Sequence, residues 1–299
     1  MTDVAKTLDD RSIVSDTAER GGTRRPAGAS GSLTRWLVLC LVAGIVIVPL
    51  LATALGGFKT QGELRANPFW IPSDWQWENY WDILSTWRYW EILGNSLYIA
   101  AVTVALTLAV AAPAAFAFAH LRFFGQRFLF NYLILGLTFP FATAILPLFI
   151  KVRDLGLLNT HWGVILPQVA FGLAISVLLL RNAFRSLPKE LFESAMVDGC
   201  GYMRFFWSMT LPLSRPILAT VGVIAFVTSW NNFLLPLVVL NSEVKYPWPL
   251  GIMVFQGEYS TDWHLVLAFI TLTILPAIVM FVFAQKHIVA GLTAGAVKG

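Results

Sequence analysis

Apolar runs of about twenty residues alternate with polar stretches along the chain, at 36–55, 96–118, 128–150, 162–180, 217–240 and 265–284. At about 1.5 Å per residue, a helix of roughly twenty residues crosses the ~30 Å hydrocarbon layer of a bilayer. The pattern predicts an all-α polytopic membrane protein with six transmembrane helices. Pro113 falls near the end of the second run, and Pro140 and Pro147 interrupt the third. Ala100, Ala101, Ala105 and Ala109 on the second run predict close contact with a neighbouring helix. No internal repeat or heptad array is visible.

The polar stretches divide the chain further. Residues 1–33 are rich in Ser, Thr, Gly and Arg without apolar period, which predicts a disordered cytoplasmic tail. The run that follows is too long for a cleaved signal peptide, although Ala52-Thr53-Ala54 imitates a cleavage site. The expected organisation is this tail, then a first helix with an aromatic outer loop (34–91), a five-helix membrane domain (92–285) and a cytoplasmic tail (286–299). Inside the membrane domain, residues 186–216 form a mixed-charge island. Pro188 suits a first helical turn. Leu191, Phe192, Ala195 and Met196 share one helical face, with Glu190 and Glu193 on the other. Gly199 and Gly201 suit a left-handed stop. A second short helix over about 202–210 precedes Pro212 and Pro216. The island reads as a helix–turn–helix outside the bilayer.

Composition agrees: 57% of residues are hydrophobic, 13% are charged, and mean hydropathy is +0.68. That excludes a soluble core as the main architecture. The net charge of +4 is too small, in so apolar a chain, to point to nucleic acid. Arg35, Arg122, Arg127, Arg181, Arg185, Lys189, Arg204, Arg215 and Lys286 fall on one side of a six-span topology. Glu63, Asp74, Glu78, Asp82, Glu243, Glu258 and Asp262 fall on the other. The bias of basic residues then places both termini and the 186–216 island in the cytoplasm. Cys40 and Cys200 make no disulfide framework.

Candidate chemistry is sparse. No phosphate-cradling Gly-x-x-x-x-Gly-Lys-Ser/Thr run and no His-Glu-x-x-His occurs, so the chain is not expected to be an ATPase or a zinc enzyme. His120, His161, His264 and His287 sit at span borders and read as interfacial. The cores of the six runs carry no Asp, Glu, Lys, Arg or His, which argues against proton coupling within the membrane. Neutral polar groups do occur there: Gln168 in the fourth run, and Trp230, Asn231 and Asn232 in the middle of the fifth. Amides and an indole can hydrogen-bond and stack on a neutral hydroxyl-rich solute; the alternative is interhelical bonding. Trp70, Trp75, Trp77, Trp81, Trp87 and Trp90 in the outer segment read as an interfacial belt before a sugar platform. In the loop at 241–264, Tyr246, Trp248 and Phe255 offer area for an outer partner, unless the loop caps the bundle.

The island also resembles the EAA loop of permease subunits in binding-protein-dependent ABC importers. Glu193, Ser194 and Ala195 are followed at the family's spacing by Gly199 and then by Met209, Thr210, Leu211 and Pro212. Ser194 and Met209 depart from the family's Ala and Ile. Asp198-Gly199, Trp230-Asn231-Asn232-Phe233 and the ending from Gly291 to Gly299 are similar to the maltose-type second permeases of carbohydrate importers. The resemblance covers the chain from about Trp36 onward. It implies a type I importer fold and a transport subunit with no catalytic site, metal or bound cofactor of its own. ATP and Mg would sit on two copies of a cytoplasmic ATPase subunit. A second, homologous permease would complete a heterodimer in the cytoplasmic membrane, and an extracytoplasmic sugar-binding protein would deliver the substrate, a sugar or related polyol. Glu190, Glu193, Ala195, Asp198, Gly199, Leu211 and Pro212 would form the ATPase-coupling loop, its apolar stripe filling a cleft on the ATPase. Trp230, Asn231, Asn232 and Gln168 would border the substrate path, and Tyr246, Trp248 and Phe255 would meet the binding protein. The C-terminal tail would lie against the ATPase pair. A membrane scaffold that recruits an ATPase, and a secondary transporter, are the alternatives.

Overall fold

A computed structural model describes residues 29–257 and 260–296. Most of the expected N-terminal tail, Glu258, and residues 297–299 lie outside the described residues. The chain divides into two units after Leu51.

The first unit holds most of α1, Ala29–Gly56. Its side chains from Arg35 to Leu51 are exposed nearly all round, as a helix bathed in lipid requires. α1 starts at Ala29, inside the stretch expected to be disordered. Helix propagation adds one hydrogen bond per residue fixed, so a stable apolar run extends itself backwards into a permissive sequence.

In the second unit, α2 (Gln61–Ala66) and α3 (Glu78–Ser85) form an elbow. Lys59 is fully buried there and donates from Nζ to the carbonyls of Asn67 (2.6 Å) and Pro68 (3.3 Å). Asn79 and Tyr80 bind the carbonyls of Gly57 and Ala54 at 2.9 and 2.8 Å. Then come α4 (Trp87–His120), α5 (Gln126–Leu135), α6 (Phe141–Asp154) and α7 (Trp162–Arg185). α8 (Lys189–Val197), α9 (Tyr202–Phe205), a π turn at Phe206–Thr210 and α10 (Leu211–Leu213) make up the polar island. They lead into α11 (Arg215–Trp230), α12 (Leu234–Val239), α13 (Trp248–Gly251) and α14 (Trp263–Ala296).

Among the described residues, four helices are long and apolar enough to cross a membrane: Arg35–Gly56 of α1, α4, α7 and Trp263–Val282 of α14. Two bent pairs bring the number to as many as six. The third expected span is not one helix. α5 and α6 meet at 106°, because Pro140 holds Phe139 in extended backbone and ends the first segment. The fifth is also interrupted: α11 stops at Trp230 and helix resumes at Leu234. Pro236 cannot donate to the Asn232 carbonyl, so the ladder breaks there. α14 continues past the expected span end through Ala296, where a separate tail had been expected.

The core follows a helical period along α4, burying Ile92, Ser96, Ile99, Thr103, Thr107, Ala111 and Ala115. α7 runs parallel to it: Ile99 packs with Ile165 and Val169, and Ala111 and Ala115 pack with Val177 and Leu180. Of the four alanines expected at a helix contact, Ala100 is buried, whereas Ala101, Ala105 and Ala109 face outward. The Thr103–Thr107–Ala111 face is equally small, and Thr103 on it bonds to Gln168 of α7, so it wins the interface.

Candidate functional site

The polar island is built from caps and breaks. Pro188 caps α8, and its missing N–H costs nothing at a helix start. At the other end Gly199 takes φ +76°, a conformation that clashes for a Cβ-bearing residue. The Cys200 N–H reaches back to the Ala195 carbonyl (2.9 Å) and the Gly199 N–H to that of Met196 (3.1 Å), the Schellman pair of bonds that ends a helix. The chain then re-enters helix at Tyr202 and carries Leu211 and Pro212 to the start of α11.

The two faces of α8 are unlike. Phe192, Ala195 and Met196 turn inward onto a phenylalanine-rich core of Phe116, Phe184, Phe205 and Phe206. The Phe192 ring lies 5.4 Å from His120 and 5.1 Å from Phe205. Glu190, Glu193 and Asp198 are exposed. The stripe that the resemblance assigns to a partner's cleft is thus mostly used inside this chain; of its four members only Leu191 stays open. Four phenyl rings at the ends of α4, α7 and α9 supply a deeper apolar site than any surface contact. The open apolar surface is made instead by Leu191, Val197, Met203 and Trp207, at 39%, 88%, 70% and 62% exposure. Sequence reasoning missed Val197, Met203 and Trp207; Val197 lies off the apolar stripe at the end of α8, and Met203 and Trp207 lie beyond the helix stop, outside a single-helix period.

The candidate path residues separate. Gln168 Oε1 accepts from Thr103 Oγ1 (3.2 Å) and Ser229 Oγ (2.6 Å), joining α4, α7 and α11 in the bundle interior. Trp230 is buried and stacks on Phe226 at 5.5 Å. Its carbonyl, freed by the end of α11, accepts from Trp248 Nε1 at 2.6 Å. Asn231 is exposed, and Asn232 is half-buried with Oδ1 accepting from the Leu235 N–H at 3.2 Å. Trp230, Asn231 and Asn232 stand at the break between α11 and α12, whereas Gln168 lies inside α7. Ile224, Val227, Thr228 and Asn231 form one exposed face of α11. Thr228 was missed; its spacing of three from Asn231 was the available signal.

Tyr246, Trp248 and Phe255 are half-buried and pack onto the bundle. The Trp248 backbone N–H donates to Ser96 Oγ (2.7 Å), so the 241–257 segment caps the helices. Its open surface is Glu243, Val244, Met253 and Val254. Asn159, at φ 55°, accepts on Oδ1 from the Asn241 and Ser242 N–H groups at 3.1 and 3.0 Å, and Lys245 Nζ donates to its carbonyl at 2.6 Å. His161 lies 3.2 Å from the Lys245 carbonyl; burial pushes its pKa below the ordinary value, and the Lys245 charge adds to that against the hydrogen bond. Trp70, Trp75, Trp77, Trp81, Trp87 and Trp90 are each exposed by 44% or more. Among the described residues no group of three His, Cys, Asp or Glu could hold a metal.

The family described as "Binding-protein-dependent transport system inner membrane component" matches residues 108–293. The chain is 33% identical over 280 residues to the diacetylchitobiose uptake system permease protein NgcG of Streptomyces coelicolor, covering 93% of this chain and 91% of that one. It is 36% identical over 271 residues to the arabinooligosaccharides transport system permease protein AraQ of Halalkalibacterium halodurans, covering 88% and 96%. Among solved structures, a chain of a bacterial ABC transporter involved in the import of the acidic polysaccharide alginate superposes with TM-score 0.77 and 22% identity, over 88% of this chain and 99% of that one.

Proposed function

Because the chain belongs to the family of binding-protein-dependent transport system inner membrane components, we propose that it is the carbohydrate permease of an ATP-driven importer, with hydrolysis supplied by partner chains. The names of the relatives point to oligosaccharides as the cargo class. The neutral amides and hydroxyl at the open end of α11 suit such a solute.

One observation carries the mechanism. α8 presents its carboxylates outward while its other face is packed into the same phenylalanine core as α4, α7 and α11. A displacement of α8 by an ATPase pair must therefore move those helices, since a close-packed core transmits strain. In this reading Glu190, Glu193 and Asp198 meet basic groups on the ATPase, and Leu191, Val197, Met203 and Trp207 supply apolar contact. Ala195, Gly199, Leu211 and Pro212 set the geometry of the polar island. The island and both termini are cytoplasmic, by the distribution of basic residues. A second homologous permease completes the path. An extracytoplasmic binding protein docks on the opposite side, where Val244 and Met253 are more open to it than Tyr246, Trp248 and Phe255. ATP and Mg bind to the partner subunits. Docking drives the cycle only through its difference between inward- and outward-facing states.

The test is uptake into proteoliposomes containing the co-purified subunits and the loaded binding protein. Oligosaccharide entry should require ATP inside. Glu193→Lys should reduce it by at least tenfold, the order of one reversed ion pair at a docking face, with unchanged assembly before ATP is added. Uptake without ATP that collapses with a protonophore would show a secondary transporter, and co-purification without uptake would show a scaffold.

A further inference from the structure

Beside α8 lies a cleft of about 730 Å³, which reaches Phe192 and Phe205 at the edge of the phenylalanine core. Arg122, Arg127, Arg181, Arg185 and Lys189 line it, with Glu193 as its one carboxylate. Among the described residues, the ion pairs use only Arg88 and Arg153 as cations, so none of the five lining cations has a carboxylate within 4.0 Å. Five unneutralised positive charges around one concavity repel one another and favour an anion. Arg181 is held in place for it: its Nε donates to the Phe118 carbonyl at 3.2 Å and its guanidinium lies 3.9 Å above the Phe130 ring.

A second cavity of a different kind lies next to the cleft, on the other side of Phe118. A groove of about 830 Å³ runs between α4, α5 and α7, and Phe118 lines both. Its walls are Val110, Ala114 and Phe118 on α4 and Leu173 and Val177 on α7, with Leu133 opposite. These positions are four residues apart, and the same α7 face continues as Arg181 and Arg185. Along this winding strip of α7, apolar contact gives way to guanidinium over about one turn, between Val177 and Arg181. From Leu173 to Arg185 is about 18 Å of helix, close to the reach of an acyl chain with its headgroup.

We propose that the cleft and groove together hold one anionic phospholipid, its phosphate among Arg127, Arg181 and Arg185 and an acyl chain along the Val110–Phe118 and Leu173–Val177 faces. The site needs both halves: a neutral lipid leaves the cations unpaired, and a water-soluble phosphate leaves the groove unfilled. Being flanked by Glu193, a bound lipid also lies beside the proposed ATPase contact. The binding itself does not depend on the transport reading.

Native mass spectrometry of the detergent-solubilised full chain, with whatever subunits co-purify, tests it. Dioleoylphosphatidylglycerol should be retained as a single adduct in preference to dioleoylphosphatidylcholine. Arg127→Gln with Arg185→Gln should weaken that adduct about thirty-fold, leaving the phosphatidylcholine background unchanged. Both side chains are exposed and make no ion pair, so the fold tolerates their loss; the lipid arms test the site without any variant. Dihexanoylphosphatidylglycerol and sn-glycerol 3-phosphate should each bind at least tenfold more weakly than the long-chain lipid. Equal retention of the two dioleoyl lipids, full retention by the double variant, or glycerol phosphate binding as tightly as the lipid would each overturn the proposal. So would an adduct present on the isolated chain but absent from the assembled complex, which would assign the groove to a neighbouring subunit.

Discussion

At the scale of single residues, the end of the second unit away from the polar island is fastened by few atoms. Asn159 takes a left-handed backbone that its short amide tolerates, and that one side chain fixes the loop at Asn241 and Ser242. His161 closes the same junction against the Lys245 carbonyl. Burial holds its pKa below 6.5, so the folded form prefers the neutral ring. The sign follows from linkage: between the lowered folded value and 6.5 the unfolded chain binds more protons, and stability rises with pH. His161 thus supports the junction fully above pH 6.5 and loses that support as pH falls below it. Hydrogen exchange at the Lys245 and Tyr246 amides should accelerate between pH 6.5 and 5, after correction for intrinsic rates, and His161→Asn should flatten the dependence. A corrected rate independent of pH in the native chain would show that the imidazole does not hold the loop.

At the scale of elements, α4, α7 and α11 are joined by one amide. Gln168 Oε1 takes two hydroxyl donors from two helices, so α7 serves as the hub. Membrane hydrogen bonds average about 0.6 kcal/mol in mutant cycles. Thr103→Val and Ser229→Ala should each therefore cost about that much in a steric-trap or denaturant unfolding measurement. Against a Gln168→Leu background both costs should vanish, because the acceptor they share is gone. Costs that persist there would mean that the hydroxyls act elsewhere. The sequence exposed the apolar runs and the capping chemistry of the island, because the 3.6-residue period and Gly199 act locally. It did not show which small-residue face of α4 is buried, since Ala101-Ala105-Ala109 and Thr103-Thr107-Ala111 are equally permissive until α7 is in place. Nor did it show the inward turn of Phe192, which depends on Phe116, Phe184 and Phe205 arriving from three other segments. Pro140 stood out as an interruption and Pro236 did not; that both break their spans outright depends on what surrounds the freed backbone groups.

At the scale of the second unit as a whole, the broken helix at Asn231 has to be reconciled with a lipid solvent. Interrupted backbone at membrane depth survives only inside protein or beside water. Trp230 and Trp248 shield one side of the break, and Pro236 is buried on the far end. The other side is open, and it carries Thr228 and Asn231 above Ile224 and Val227. An exposed hydroxyl and carboxamide in the hydrocarbon would each cost about 1–3 kcal/mol on protein-derived scales, so this face should meet the second permease and the solute path. That placement is testable by chemistry that needs water. With Cys40 and Cys200 replaced by serine, Thr228→Cys or Asn231→Cys should react with a charged methanethiosulfonate in the assembled transporter, whereas Val46→Cys on the lipid-exposed α1 should not. The rate should change when ATP closes the ATPase pair, because an α11 packed into the same core as α8 cannot stay still while α8 moves. Loaded binding protein should slow the reaction at Asn231→Cys more than at Thr228→Cys, since Asn231 stands at the open end of the helix. Labelling of Thr228→Cys as slow as that of Val46→Cys would return this face to the lipid and remove α11 from the path.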